Sequence, residues 1–159
     1  MYLSAYLLSI SLNSTKFFDN KNKIVINEEN ISRVIFNSNE FEGILKRYIK
    51  EYINTNNIDI TKDIEFQNGD MMLALHGAKI RIKGNKNVIG RWNLHIEIQD
   101  RYDFTDFKQL EDYIGATENV PKSVFSSTLN NFALVSSQYG VIKPYDFIIE
   151  MDVDNYAIE

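Results

Sequence analysis

Two runs of strict alternation constrain this chain more than anything else in it. Trp92, Leu94, Ile96 and Ile98 alternate with Asn93, His95, Glu97 and Gln99. Near the end, Tyr145, Phe147, Ile149, Met151 and Val153 alternate with Asp146, Ile148, Glu150 and Asp152. Successive side chains on a strand point to opposite faces, so each run predicts a strand with one buried and one wet face. That pattern belongs to antiparallel sheets covered on one side only.

A third run precedes them. Residues 71–83 carry Met71, Leu73 and Leu75, a break at Gly77, and then Ile80 and Ile82 between basic residues. Asp63 to Phe66 predicts a further strand, and Gln67-Asn68-Gly69-Asp70 the turn after it. Gly84-Asn85-Lys86-Asn87 predicts the hairpin turn into the Trp92 strand. The meander over 63–99 and the final strand then form one sheet, with residues 23–27 (KIVIN) a short additional strand.

Helices are expected at three places. Phe41, Ile44, Leu45, Tyr48, Ile49, Tyr52 and Ile53 recur at three- and four-residue spacing, which makes an amphipathic helix over 39–53. Asn39 and Glu42 form its capping box. Phe107, Leu110, Tyr113 and Ile114 predict a second helix, capped by Thr105 or Asp103 and stopped at Gly115. Phe125, Leu129, Phe132 and Ala133 predict a third, starting near Ser123 and ending by Gly140. Residues 1–12 are apolar throughout, so period alone does not separate strand from helix there, and residues 13–22 look like a turn region. The expected fold class is α+β: a single domain over 1–159, with a curved, mainly antiparallel sheet and two or three helices packed on one face.

Composition removes several functions. With no cysteine, disulfides, thiolate metal sites and cysteine nucleophiles are excluded. Net charge is −5 and the basic run at 79–86 alternates with isoleucines, so a phosphate-tracking nucleic-acid surface is not expected. The apolar N-terminus is short and lacks a positive leader, so neither a signal peptide nor a transmembrane segment is expected, and synthesis in the cytoplasm followed by release or delivery is.

The strand that ends HIEIQDRYDF holds the candidate site. Asp100 and Tyr102 share one face in extended backbone, Asp103 opposes them, and a turn after Gln99 brings all three together. Converging carboxylates bind hard cations such as Mg²⁺, and a carboxylate with a shifted pKa serves as general acid or base. The alternative is structural: an aspartate at a strand-to-helix junction caps the helix, and Tyr102 and Phe104 fill the core. His95 lies on the face opposite Trp92 beside Glu97, as a proton-transfer pair or a polar surface pair. His76, two serine pairs and the acidic tail lack any motif spacing. The sequence Tyr-Asp-Phe occurs twice, at 102–104 ending one strand and at 145–147 beginning another.

From Trp92 onward, WNLHIEIQDRYDF followed by NNFALVSSQYGVIKPYDFIIEMD resembles the C-terminal domains of bacterial polymorphic-toxin and bacteriocin-like proteins, the colicin M family in particular. The resemblance covers about half of the chain. It implies an Asp-x-Tyr-Asp motif at a strand end that cleaves a lipid-linked peptidoglycan precursor at its pyrophosphate with Mg²⁺. Asp100, Tyr102 and Asp103 are the counterparts, with Asp100 and Asp103 the implied metal ligands. The sequence departs from the family where a His-Arg pair follows the second aspartate. Phe107-Lys108-Gln109-Leu110-Glu111 stands there, which leaves Arg101, Lys108 and His95 as the cations at hand. Two other classes stay open: a non-catalytic structural or protein-interaction module, phage- or toxin-associated, and an acidic immunity- or inhibitor-type protein steered toward a basic partner.

Overall fold

The computed structural model describes residues 3–13, 23–67, 69–75, 77–102 and 145–158. The expected 105–114 helix, the helix after Ser123, the 13–22 turn region (Asn13 excepted), His76, Asp103 and Lys108 lie outside the described residues. Nine elements are described, in the order α1 (Leu3–Asn13), β1 (Lys23–Ile26), α2 (Glu29–Phe36), α3 (Asn39–Lys50), β2 (Asn57–Glu65), α4 (Gly69–Ala74), β3 (Gly77–Lys86), β4 (Trp92–Tyr102) and β5 (Tyr145–Tyr156).

The strands form one open sheet in the order β1-β5-β4-β3-β2. Three pairings are antiparallel, and β1 runs parallel to β5 at one edge. The alternating runs pack as their spacing predicts. Trp92, Leu94, Ile96 and Ile98 are buried, and so are Tyr145, Phe147, Ile149 and Met151 across from them. With Ile31, Ile35, Phe41, Leu45 and Leu7 of the helices they make one core on one side of the sheet. The other side carries polar side chains open to solvent. This is an α+β fold with a mostly antiparallel sheet, and four helices are described where two or three were expected.

Several boundaries differ from the sequence reading, each for a local reason. Residues 69–74 are helix, where alternation of Met71, Leu73 and Leu75 had predicted strand; the buried set Met71, Met72, Ala74 and Leu75 has helical spacing instead. Gly77 begins β3 rather than breaking it. The cap of α3 is Ser38, whose side chain accepts from the Phe41 N–H, one residue before the expected Asn39. The apolar N-terminus resolves as a helix, and α2 arises from Ile31 and Ile35, one turn apart and both buried. β2 begins at Asn57, earlier than Asp63, and β5 runs on to Tyr156.

The hairpin turn sits at residues 87–91, not 84–87. Gly84 lies inside β3 opposite Leu94. A Cβ there would overlap the Asn93 carbonyl oxygen and come within 2.7 Å of Leu94 Cδ2. The glycine serves close approach of two strands rather than a turn.

Candidate functional site

The sheet's alternation decides where each predicted site residue points. Asp100 and Tyr102 continue the buried row of Trp92, Leu94, Ile96 and Ile98, so both lie on the core face at the far end of β4. His95 lies on the open face with Glu97. The sheet itself stands between His95 and Asp100, and five residues along the strand separate them by about 16 Å. The structure therefore brings Asp100 and Tyr102 together and leaves His95 elsewhere.

Around Asp100 the partners are aromatic. Its cross-strand neighbour is Phe147, and the next pair is Tyr102 opposite Tyr145. Tyr102, the first residue of one Tyr-Asp-Phe sequence, thus faces Tyr145, the first residue of the other, across the β4–β5 ladder. Tyr102 and Tyr145 rings lie 5.6 Å apart, and Tyr145 and Phe147 rings 5.9 Å. Arg101, between Asp100 and Tyr102, points to the open face and pairs with Asp146 at 3.1 Å. Asp100 Oδ1 accepts from the Arg101 backbone N–H at 2.7 Å. Burial among apolar and aromatic groups pushes its carboxyl up to about 6, with that N–H pulling the other way. A carboxyl titrating near 6 exchanges protons efficiently close to neutral pH.

Tyr102 is tied into the structure. Its hydroxyl donates to the Ser4 carbonyl at 3.3 Å, and the Tyr145 hydroxyl donates to the Leu7 carbonyl at 2.7 Å. Both phenols are raised above their ordinary range, chiefly by burial; Asp70 adds to this for Tyr102, and Tyr102 and then Tyr6 for Tyr145. Asp70, in the first turn of α4, accepts from the Ser4 backbone N–H at 3.1 Å and from the Leu3 N–H. It caps α1 from another element, satisfying the orphan amides of that helix start. The end of β4 is therefore a junction of α1, α4, β4 and β5, built from Asp100, Tyr102, Tyr145, Asp70 and Ser4.

On the open face, His95 Nδ1 lies 2.8 Å from Asp152 Oδ1, and Nε2 lies 3.7 Å from Glu97 Oε1. A shallow depression of about 750 Å³ adjoins it, lined by Asp59, Lys83, Asn93 and Asp152 among others. Glu97 is the partner the sequence indicated. Asp152 is one it missed, because β5 register is invisible without the fold.

As a metal centre, the described residues contribute little. Mg²⁺ takes near-octahedral oxygen ligation. Among the described residues, no group of three His, Asp or Glu side chains is placed to hold a metal ion. Asp100 offers one carboxylate, and Tyr102 already donates to Ser4. Of the expected pair of ligands, Asp103 lies outside the described residues, so these residues alone do not make a Mg²⁺ site. Among the described residues, no helix is long and apolar enough to cross a membrane.

No family model matches the chain, and no curated protein matches it. Among solved structures, the chain is similar to PaeM, a colicin M-like bacteriocin produced by Pseudomonas aeruginosa. The identity is 16%, the alignment covers 99% of this chain and 52% of that one, and the TM-score is 0.34. This chain thus spans about half the length of that protein. A likeness at that identity and score is too weak to carry any residue's role from one chain to the other.

Proposed function

We propose that this chain is a bacteriocin- or toxin-like effector domain of bacterial competition, a Mg²⁺-dependent hydrolase of a lipid-linked pyrophosphate cell-wall precursor. The observation that supports it is the position of Asp100. A carboxylate on the core face, titrating near 6, sits two residues before the end of β4 at Tyr102. In this reading Asp100 and Asp103 either hold Mg²⁺ or act as general acid and base, and Tyr102 orients the substrate. The ion's contribution is to neutralise pyrophosphate charge. His95, on the far face, takes no part in this chemistry.

A second reading is favoured by one observation: the Tyr102 hydroxyl and Asp70 are both engaged in holding α1. On that reading the junction is architecture and the chain is a non-catalytic interaction module.

Hydrolysis of a lipid-linked pyrophosphate precursor by the purified protein, with Mg²⁺ or with chelator, separates them. Asp100→Asn and Asp103→Asn should each lower turnover by about 100-fold or more while the fold persists. Wild-type protein inactive with Mg²⁺, or variants as active as wild type, would overturn the enzymatic reading.

A further inference from the structure

The opposite end of β4 holds a feature with no role in the proposed chemistry. Val88 and Ile89 form the apex of the β3–β4 turn; Val88 is fully exposed and Ile89 is 68% exposed. Ile53, 48% exposed, lies at the same end, because the Lys86 ammonium donates to its carbonyl. Aliphatic side chains at a loop tip ordinarily fold back or are replaced by polar ones. Here the backbone holds them outward.

The turn is heavily braced. The Asn87 N–H donates to the Arg91 carbonyl at 2.7 Å, and Gly90 N–H to the Asn87 carbonyl at 3.0 Å. Asn87 Oδ1 accepts from both Ile89 and Arg91 N–H groups, at 3.1 and 3.0 Å. Its side-chain amide donates to Asn155 Oδ1 at 2.7 Å, which ties the turn to β5. Gly90, at φ +76, supplies the left-handed residue that closes it. A turn fixed this way has little entropy to lose on binding.

What it fits is decided by shape and charge. A convex apex of two aliphatic side chains is far smaller than the roughly 800 Å² per partner of a stable protein interface. It is well suited to entering the headgroup layer of a bilayer. Arg91 flanks the apex, and Lys86 adds a second positive charge at its base, its ammonium held by the Ile53 carbonyl and the Trp92 ring, on a chain of net charge −5. That polarity favours tip-first approach to an anionic surface. We propose that the β3–β4 turn is a membrane-docking tip that inserts Val88 and Ile89 into an anionic lipid surface. The proposal stands apart from the hydrolase reading, since the tip lies about 33 Å along β4 from Tyr102.

The test is co-sedimentation of the full chain with phosphatidylglycerol–phosphatidylcholine vesicles and with phosphatidylcholine alone. Wild type should bind the anionic vesicles, with Val88→Asp/Ile89→Asp weakening binding about tenfold or more and Arg91→Gln about threefold. No sedimentation with either vesicle, equal binding by the double variant, or equal binding to both lipids would each overturn it.

Discussion

Two aspartates on the two faces of one sheet behave in opposite ways. Asp59, on the open face of β2, is held below the ordinary carboxylate range by its hydrogen bonds with Arg81, at 3.1 and 3.2 Å, which outweigh slight desolvation. Asp100, on the core face of β4, is pushed up to about 6 by burial, and the opposing influence is a backbone N–H rather than a cation. The residue type is the same and the strands lie in the same sheet. Whether water and an arginine reach the carboxylate decides the outcome. The open face makes charges cheap and individually unimportant. The core face makes one charge costly, and a costly charge at a strand end is where function is worth seeking.

The comparison breaks most readily at Gly84. If core-face geometry is as tight as the β3–β4 contact implies, Gly84→Ala should destabilise by about 3 kcal/mol, because the neighbour in the way is the backbone oxygen of Asn93. Denaturant titration checks it; a loss under 1 kcal/mol would mean the strands part easily. Tyr145→Phe is a smaller probe of the same face. It removes the hydroxyl that donates to Leu7 and should cost about 1 kcal/mol, with the 5.6 Å ring contact to Tyr102 kept. On the open face, Asp59→Asn should leave the melting temperature at neutral pH unresolved from wild type. A clear drop would show that its pairing with Arg81 matters more than an exposed ion pair ordinarily does.

How much of this was legible in the chain follows the same division. Strict alternation marked β4 and β5 and their buried faces, because a half-buried strand writes its environment into every second residue. It also put Asp100 with Tyr102 and His95 with Glu97 on opposite faces. The α3 stripe was equally plain. The Met71–Leu75 stretch misled because all five of its residues are apolar and satisfy both periods. The 84–87 turn was misplaced because Gly84 is demanded by Leu94 and Asn93, neighbours known only from the β3–β4 register. Asp70 had no signal beyond a turn, since the helix it caps begins 67 residues earlier in the chain. The Tyr102–Tyr145 contact was not legible, because it depends on the β4–β5 register.

The most direct test of the account compares the stability of Asp100→Asn with wild type at two pH values. The folded carboxyl titrates near 6, above its ordinary 3.8, so the folded state holds its proton longer than the unfolded chain. The resulting contribution is fully present below about 3.8 and is lost as pH rises through 6. Urea unfolding at pH 7.5 should therefore find Asp100→Asn more stable than wild type, by about 1–2 kcal/mol after allowance for partial solvent access, and the gap should close near pH 3.5. An asparagine variant less stable than wild type at pH 7.5 would contradict it, and would make Asp100 a favourable structural charge rather than a costly one kept for its chemistry.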